Sequence, residues 1–265
     1  GDRNEFLPTV HGFDEFFGAL YHLNASEEPE LPDFPKDPAF LAKFGPRNVL
    51  DCRATDVDDA TVDPRFGKVG KQTIKDAGPL TKKRMETCDD EFAERSVDFL
   101  KRQKAAGKPV FLWVNFTHMH FRTHTKPESI GQSGRFQSPY HDTMIDHDKN
   151  VGEVLKALDD LGMADDTIVM YSTDNGPHMN SWPDAAMTPF RSEKNSNWEG
   201  AYRVPAMVRG PGKIKPGQVS NELVAHHDWL PTFVAMAGDT QVKEKLLKGT
   251  KVGDMTYKVH LGGDN

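Results

Sequence analysis

The sequence predicts an α/β domain with a mostly parallel sheet flanked by helices, and three observations carry that expectation. Apolar runs at Val110–Phe116 and Ile168–Tyr171 are separated by a long stretch of helical periodicity. Strand, helix and strand in that order are the signature of a βαβ unit with a right-handed crossover. Both runs also end in residues that carry chemistry, THMHF after the first and STDNGPH after the second.

Taken in order, residues 1–83 read as a loop-rich, irregular segment. ELPDFPKDP holds three prolines in nine residues, and DVDDATVDPRFG is acidic and rich in turn formers. Residues 84–240 form the expected α/β core. From about Arg84 a helix presents Phe92, Ser96, Phe99, Leu100 and Gln103 on one face, and Gly107 followed by Pro109 closes it. PVFLWVNF reads as a fully buried strand. A second helix over about 141–161 places Ile145, Asp148, Val151, Leu155, Leu158 and Leu161 on its buried face, with Gly162 as the terminating residue. Thr167–Ser172 is the next strand, and VPAMVRGPG a further short one. HHDWLPTFVAMAG reads as a helix with Asp228 near its N-cap and Pro231 in its first turn. Residues 241–265 begin a C-terminal segment, the whole being one partial domain.

Composition narrows the function. The 265 residues carry a net charge of −7 and a pI near 5.9, which argues against nucleic acid or an anionic membrane as the main partner. The longest apolar run falls far short of the ~20 residues a membrane span needs. Cys52 and Cys88 are the only cysteines and fit no C-x-x-C pattern. The chain opens on GDRNEFLPTVHGFDEFFG, without Met and without a signal-peptide pattern, and is expected to be a piece of a longer protein.

In open α/β sheets ligands bind beyond the carboxyl ends of the strands. There the first strand delivers His118 and His120, and the second Asp174 and Asn175. A carboxylate beside an amide carbonyl is an all-oxygen pair of the kind hard cations take. The same Asp-Asn-Gly sequence also makes an ordinary side-chain-capped turn. His118 and His120, two residues apart in an extended segment, point the same way; without a third ligand they do not make a zinc site. His suits proton transfer or donation to an oxyanion. Lys194 alone reads as a solvated surface lysine.

Together, VNFTHMHF, DHDKNVGEVLKALDDLG, YSTDNGP, EKNSNWEGAYRVPAMVRGPG, HHDWLPTFVAMAG and the opening segment make nearly the whole chain resemble the sulfatase family of the alkaline phosphatase superfamily. The resemblance implies the alkaline-phosphatase-like sulfatase fold and hydrolysis of a sulfate monoester, on a small molecule or a saccharide. It implies that Asp174 and Asn175 bind one divalent cation, Ca²⁺ rather than Mg²⁺. His120 then stands near the leaving oxygen and Lys194 contacts the sulfate oxygens. His178 and Arg191, in loops beside these residues, are candidate pocket residues, and His178 a candidate substrate contact. A periplasmic or secreted parent is implied as well. The sequence departs from the family at the nucleophile: sulfatases use a formylglycine made within a C/S-x-P-S/A-R motif, whereas Cys52 continues as CRAT and Cys88 as CDDE. The motif and the remaining metal ligands are expected upstream of Gly1, so this chain alone is expected to be inactive. Phosphonate monoester or phosphodiester hydrolysis on the same fold, and a non-catalytic ion-binding protein, are the alternatives.

Overall fold

The computed structural model describes residues 2–253 and 255–261 and divides into two compact units, residues 1–214 and 215–265. In the first unit the elements run β1 (Glu15–Gly18), α1 (Leu23–Glu27), α2 (Pro38–Phe44), β2 (Leu50–Asp63), β3 (Gly67–Asp76), α3 (Lys82–Met85), α4 (Cys88–Ala105), α5 (Pro139–Asp160), β4 (Val169–Ser172), α6 (Glu199–Tyr202) and β5 (Ala206–Arg209). The second unit holds α7 (His226–Met236), α8 (Val242–Lys248), β6 (Thr250–Val252) and β7 (Met255–Tyr257).

The first 83 residues are not irregular. β1, β2 and β3 form an antiparallel sheet in that order, with Cys52 opposite Phe16 on one side and Ile74 on the other. The β2–β3 turn is built by Asp63, whose Oδ1 accepts from the backbone N–H groups of Arg65 and Phe66 at 2.7 Å each. Gly67, at φ 80°, supplies the left-handed residue that follows. These strands escape the periodicity rule because only their inner ends are buried. Leu50 and Cys52 join Leu7 in a small core, whereas residues 56–62 are an exposed acidic ribbon with no apolar face to read.

The helical core follows the sequence more closely. Leu100 of α4 packs with Ala157 and Leu158 of α5, and Val110, Leu112 and Val169 lie against them. Gly162, at φ 59°, closes α5 and donates to Asp159 O at 3.0 Å. The first half of α5 is rotated from the expected face. Asp142, Thr143, Asp146 and Asn150 are buried, and Asp148 is exposed rather than on the buried face. The cause is polar: Asp142 accepts from Gly131 N, Ser133 N and Ser133 Oγ, so a carboxylate face is drawn inward to hold a loop.

The expected strand at 110–116 is buried on one side only. Val110 and Leu112 face the helices, while Phe111 and Trp113 are 58% and 68% exposed. Among the described residues this run joins no ladder, and β4 pairs antiparallel with β5, so the expected parallel pair is not formed. A run covered on one side has no neighbour in register here to complete the parallel arrangement. In the second unit α7 starts earlier than expected. Pro231 therefore lies inside the helix rather than in its first turn, and Asp228 is its third residue, accepting from Ala225 N at 2.7 Å.

Both cysteines are buried and unpaired with each other. Burial pushes the Cys52 thiol up to about 11 and the Cys88 thiol to about 12, the latter raised further by Asp89. Neither is a thiolate at neutral pH. The native protein is expected to resist a thiol-specific reagent at about pH 8 and to react at both cysteines in denaturant. Rapid labelling of the folded protein would contradict this burial.

Candidate active site

The Asp174–Asn175–Gly176 turn leaves β4 and is pinned by backbone. Gly176 N donates to Ala201 O at 2.7 Å, Lys194 N to Pro177 O at 2.9 Å, and Gly200 N to Arg191 O at 2.8 Å. Gly176 and Gly200 are required by this close approach. A Cβ on Gly176 would fall onto Gly200 O, and one on Gly200 onto Ser192 O. Ser192 and Asn195 flank Lys194 in the left-handed region at φ 67° and 71°. Non-glycine residues are held so only where the surroundings over-determine them, and such strain clusters at functional sites.

The second arm of the site is the turn after the 110–116 run. Asp89, buried in the first turn of α4, accepts from Thr117 N at 2.8 Å, Thr117 Oγ1 at 2.9 Å and His118 N at 3.0 Å. His120 N then closes onto Thr117 O at 2.9 Å. The segment is thus a turn and not extended, so His118 and His120 do not point the same way. His118 is buried with its Nδ1 3.3 Å from Asp89 Oδ2, and is a packed residue, while His120 faces the site.

The ring of Phe121 is the meeting point. The His120 ring lies 4.7 Å from it, the His178 ring 5.1 Å and Lys194 Nζ 6.0 Å. Trp182 Nε1 donates to Phe121 O at 3.0 Å and fixes the backbone there. His120 is also stacked on His22, the N-cap residue of α1, with centroids 6.0 Å apart and planes 4° from parallel. The sequence-predicted residues His120, His178 and Lys194 are therefore brought together. Phe121 and His22 were not picked out by sequence; Phe121 follows His120 directly, but no pattern marks His22. Arg191 lies 3.7 Å over the ring of Trp198, in the same stitched loops.

Electrostatics set the state of His120. Burial, then Lys194 and His22, lower it to about 4 from an ordinary 6.5, with Asp174 pulling the other way and His178 adding to the lowering. It is therefore neutral at physiological pH. Its Nδ1 accepts from Arg122 N at 3.3 Å, which leaves the ring proton on Nε2 as a donor into the site.

Asp174 and Asn175 offer a carboxylate and an amide oxygen side by side at the end of β4. Asn175 Nδ2 donates to Gly176 O at 2.9 Å, its carbonyl oxygen accepts no hydrogen bond among the described residues, and Asp174 makes no hydrogen bond or ion pair among them. Two such oxygens suit a hard cation in kind. Among the described residues no cluster of three or more His, Cys, Asp or Glu is placed to hold a metal.

Comparison with known proteins decides the family. The sulfatase family profile matches residues 2–239. The chain belongs to the sulfatase family. It is 27% identical over 254 residues to N-acetylgalactosamine-6-sulfatase of Homo sapiens, covering 94% of this chain and 42% of that protein. With arylsulfatase A of Bos taurus it shares 30% over 239 residues, 90% of this chain and 43% of that one. With steryl-sulfatase of Mus musculus it shares 32% over 222 residues, 80% of this chain and 32% of that one. The chain thus spans less than half the length of these relatives. The crystal structure of the PsFucS1 sulfatase from Pseudoalteromonas sp. superposes with a TM-score of 0.71 at 25% identity, over 88% of this chain and 44% of that one. The Ps i-CgsB structure in complex with k-i-k-neocarrahexaose shares the fold, with a TM-score of 0.63 at 22% identity over 100% of this chain and 51% of that one. The alkaline-phosphatase-like sulfatase fold expected from sequence is thus the fold of this chain, in part.

Burial also lowers His147, whose Nε2 pairs with Tyr171 Oη at 3.0 Å. With His120 it binds its proton less readily folded than unfolded, so stability rises with pH between about 4 and 6.5 and is lost as pH falls through that window. The melting temperature is expected to be lower at about pH 5 than at about pH 7.5, and His120→Gln should shrink the difference. Equal melting temperatures would contradict the weakened proton binding of these two half-buried histidines.

Proposed function

We propose that this chain supplies the cation- and sulfate-facing part of a sulfatase that hydrolyses a sulfate monoester. The observation that carries the reading is the convergence of His120, His178 and Lys194 on the ring of Phe121, with Asp174 close enough to act on His120. An acidic chain of net charge −7 gathers these groups at one point, where a sulfate would meet them.

Each residue has a role that its geometry supports. Lys194 is a compact cation held in register by its own backbone bond to Pro177, and it meets the non-bridging sulfate oxygens, where charge is spread as the ester breaks. His120 donates its Nε2–H to the bridging oxygen, acting as a neutral donor and not as a resident imidazolium. His178, its Nδ1 buried and without a partner among the described residues, faces the same ring and is assigned to substrate contact. Asp174 and the side-chain oxygen of Asn175 would hold one divalent cation, Ca²⁺ before Mg²⁺. One charged and one neutral oxygen leave such an ion electrophilic, so that when bound it supplies Lewis-acid polarisation of the sulfate. The nucleophile is assigned to a formylglycine outside this chain, since neither buried cysteine lies in the required motif. The substrate class we assign is a small-molecule or saccharide sulfate ester. Among the described residues no helix is long and apolar enough to cross a membrane. On the family resemblance, we place the parent enzyme in the periplasm or outside the cell.

In the full-length enzyme, Lys194→Ala and His120→Ala are each expected to lower kcat on an aryl sulfate by about 10²-fold or more, as loss of a preorganised donor does. Near-wild-type kinetics in either variant would contradict the assignment. A calcium chelator is expected to abolish turnover and added Ca²⁺ to restore it, while the 265-residue chain alone is expected to show none. Turnover by the chain alone would show that the nucleophile lies within it.

A further inference from the structure

Beside the sulfate-facing cluster, a buried carboxylate holds an arginine that the proposed chemistry does not use. Glu27, the last residue of α1, is 3% exposed. Its Oε2 accepts from His124 Nε2 at 2.8 Å, and its Oε1 lies 3.4 Å from Arg122 Nε. Arg122 is otherwise an open side chain, 51% exposed, with its guanidinium 5.4 Å from the Phe121 ring centre on which His120, His178 and Lys194 also converge.

The arrangement makes little sense as a device for stability. An ion pair with one partner half in water contributes little, while burying a carboxylate is costly even when it is paired. It makes sense as a device for aim. Glu27 engages only the Nε edge of the guanidinium. Neither terminal nitrogen of Arg122 meets a protein acceptor among the described residues, and those two nitrogens form the planar fork that binds an oxyanion in two places. The fork is tied to the site at both ends. Arg122 N donates to His120 Nδ1 at 3.3 Å, and α1 carries Glu27 at one end and, at its N-cap, the His22 that stacks on His120.

We propose that Arg122, aimed by Glu27, is a specificity residue that receives a second anionic group of the substrate, so that the preferred ester is a saccharide bearing a sulfate or carboxylate besides the sulfate that is cleaved. This rests on the sulfatase reading for the first sulfate and adds a second anion subsite next to it.

The test is calorimetric binding to the full-length enzyme of three probes: a monosulfated neutral disaccharide, a disulfated disaccharide, and a monosulfated disaccharide containing a uronate. Wild type is expected to bind one of the two doubly anionic probes at least about tenfold more tightly than the singly anionic one, and which of them it prefers identifies the second group. Arg122→Gln should abolish that preference. Glu27→Gln, which keeps the arginine but loosens its hold, should reduce it while leaving affinity for the monosulfated probe within about twofold. Equal binding of all three probes by wild type, or a preference that survives Arg122→Gln, overturns the proposal. Because binding and not turnover is read, a preference lost in Arg122→Gln in a protein that hydrolyses none of the probes would uphold the subsite and count against the sulfatase reading alone.

Discussion

The candidate site depends first on the carboxylate of Asp89. A carboxylate with no exposure is stable only if donors saturate it, and here the donors are the backbone and hydroxyl of Thr117 and the backbone of His118. Meeting that requirement bends the chain where the apolar run ends. The bend turns His118 inward against Asp89 and sends His120 and Phe121 outward. Asp89 sits in the first turn of α4, where the exposed N–H groups of the helix favour a negative charge, so one residue serves both the helix terminus and the active loop.

From that turn the other contacts follow in a chain of short range. Phe121, fixed through its carbonyl by Trp182, offers a ring to which two histidines and one lysine come from different segments. The loop that brings Lys194 can approach only because Gly176 and Gly200 lack a Cβ, and it holds Ser192 and Asn195 in left-handed conformations to do so. Proximity of like charges then acts back on the chemistry. Lys194 and His22 help burial to keep His120 neutral, which makes it a donor at the pH where a sulfate ester would meet it.

The sequence was informative where a residue's role is local and silent where it depends on remote partners. The helices α4 and α5 and the strand β4 were legible because an apolar face must be written into the chain at helical or strand spacing. His120, His178 and Lys194, singled out through the order of their motifs, come together around the Phe121 ring. The β1–β2–β3 sheet was missed because its exposed half is acidic and carries no apolar alternation. The burial of Asp142 and Asp146 in place of Asp148 was missed because a polar helix face is drawn inward only by the loop it caps. His22 and Glu27 had no signal at all, since what makes them notable is a stacked ring and an ion pair about a hundred residues away in sequence. The parallel pairing expected of the 110–116 run depends on neighbours that periodicity within one segment does not report.

In the proposed enzyme a sulfate sits where His120, Lys194 and the Phe121 ring meet. The most direct measurement is a crystal structure of the full-length enzyme with a slowly hydrolysed sulfate ester bound. Sulfate oxygens are expected within hydrogen-bond distance of Lys194 Nζ, the bridging oxygen on His120 Nε2, and a cation between the sulfate and the Asp174–Asn175 oxygens. An ester bound elsewhere, with Lys194 turned to solvent and Asp174 free of any ion, would contradict it.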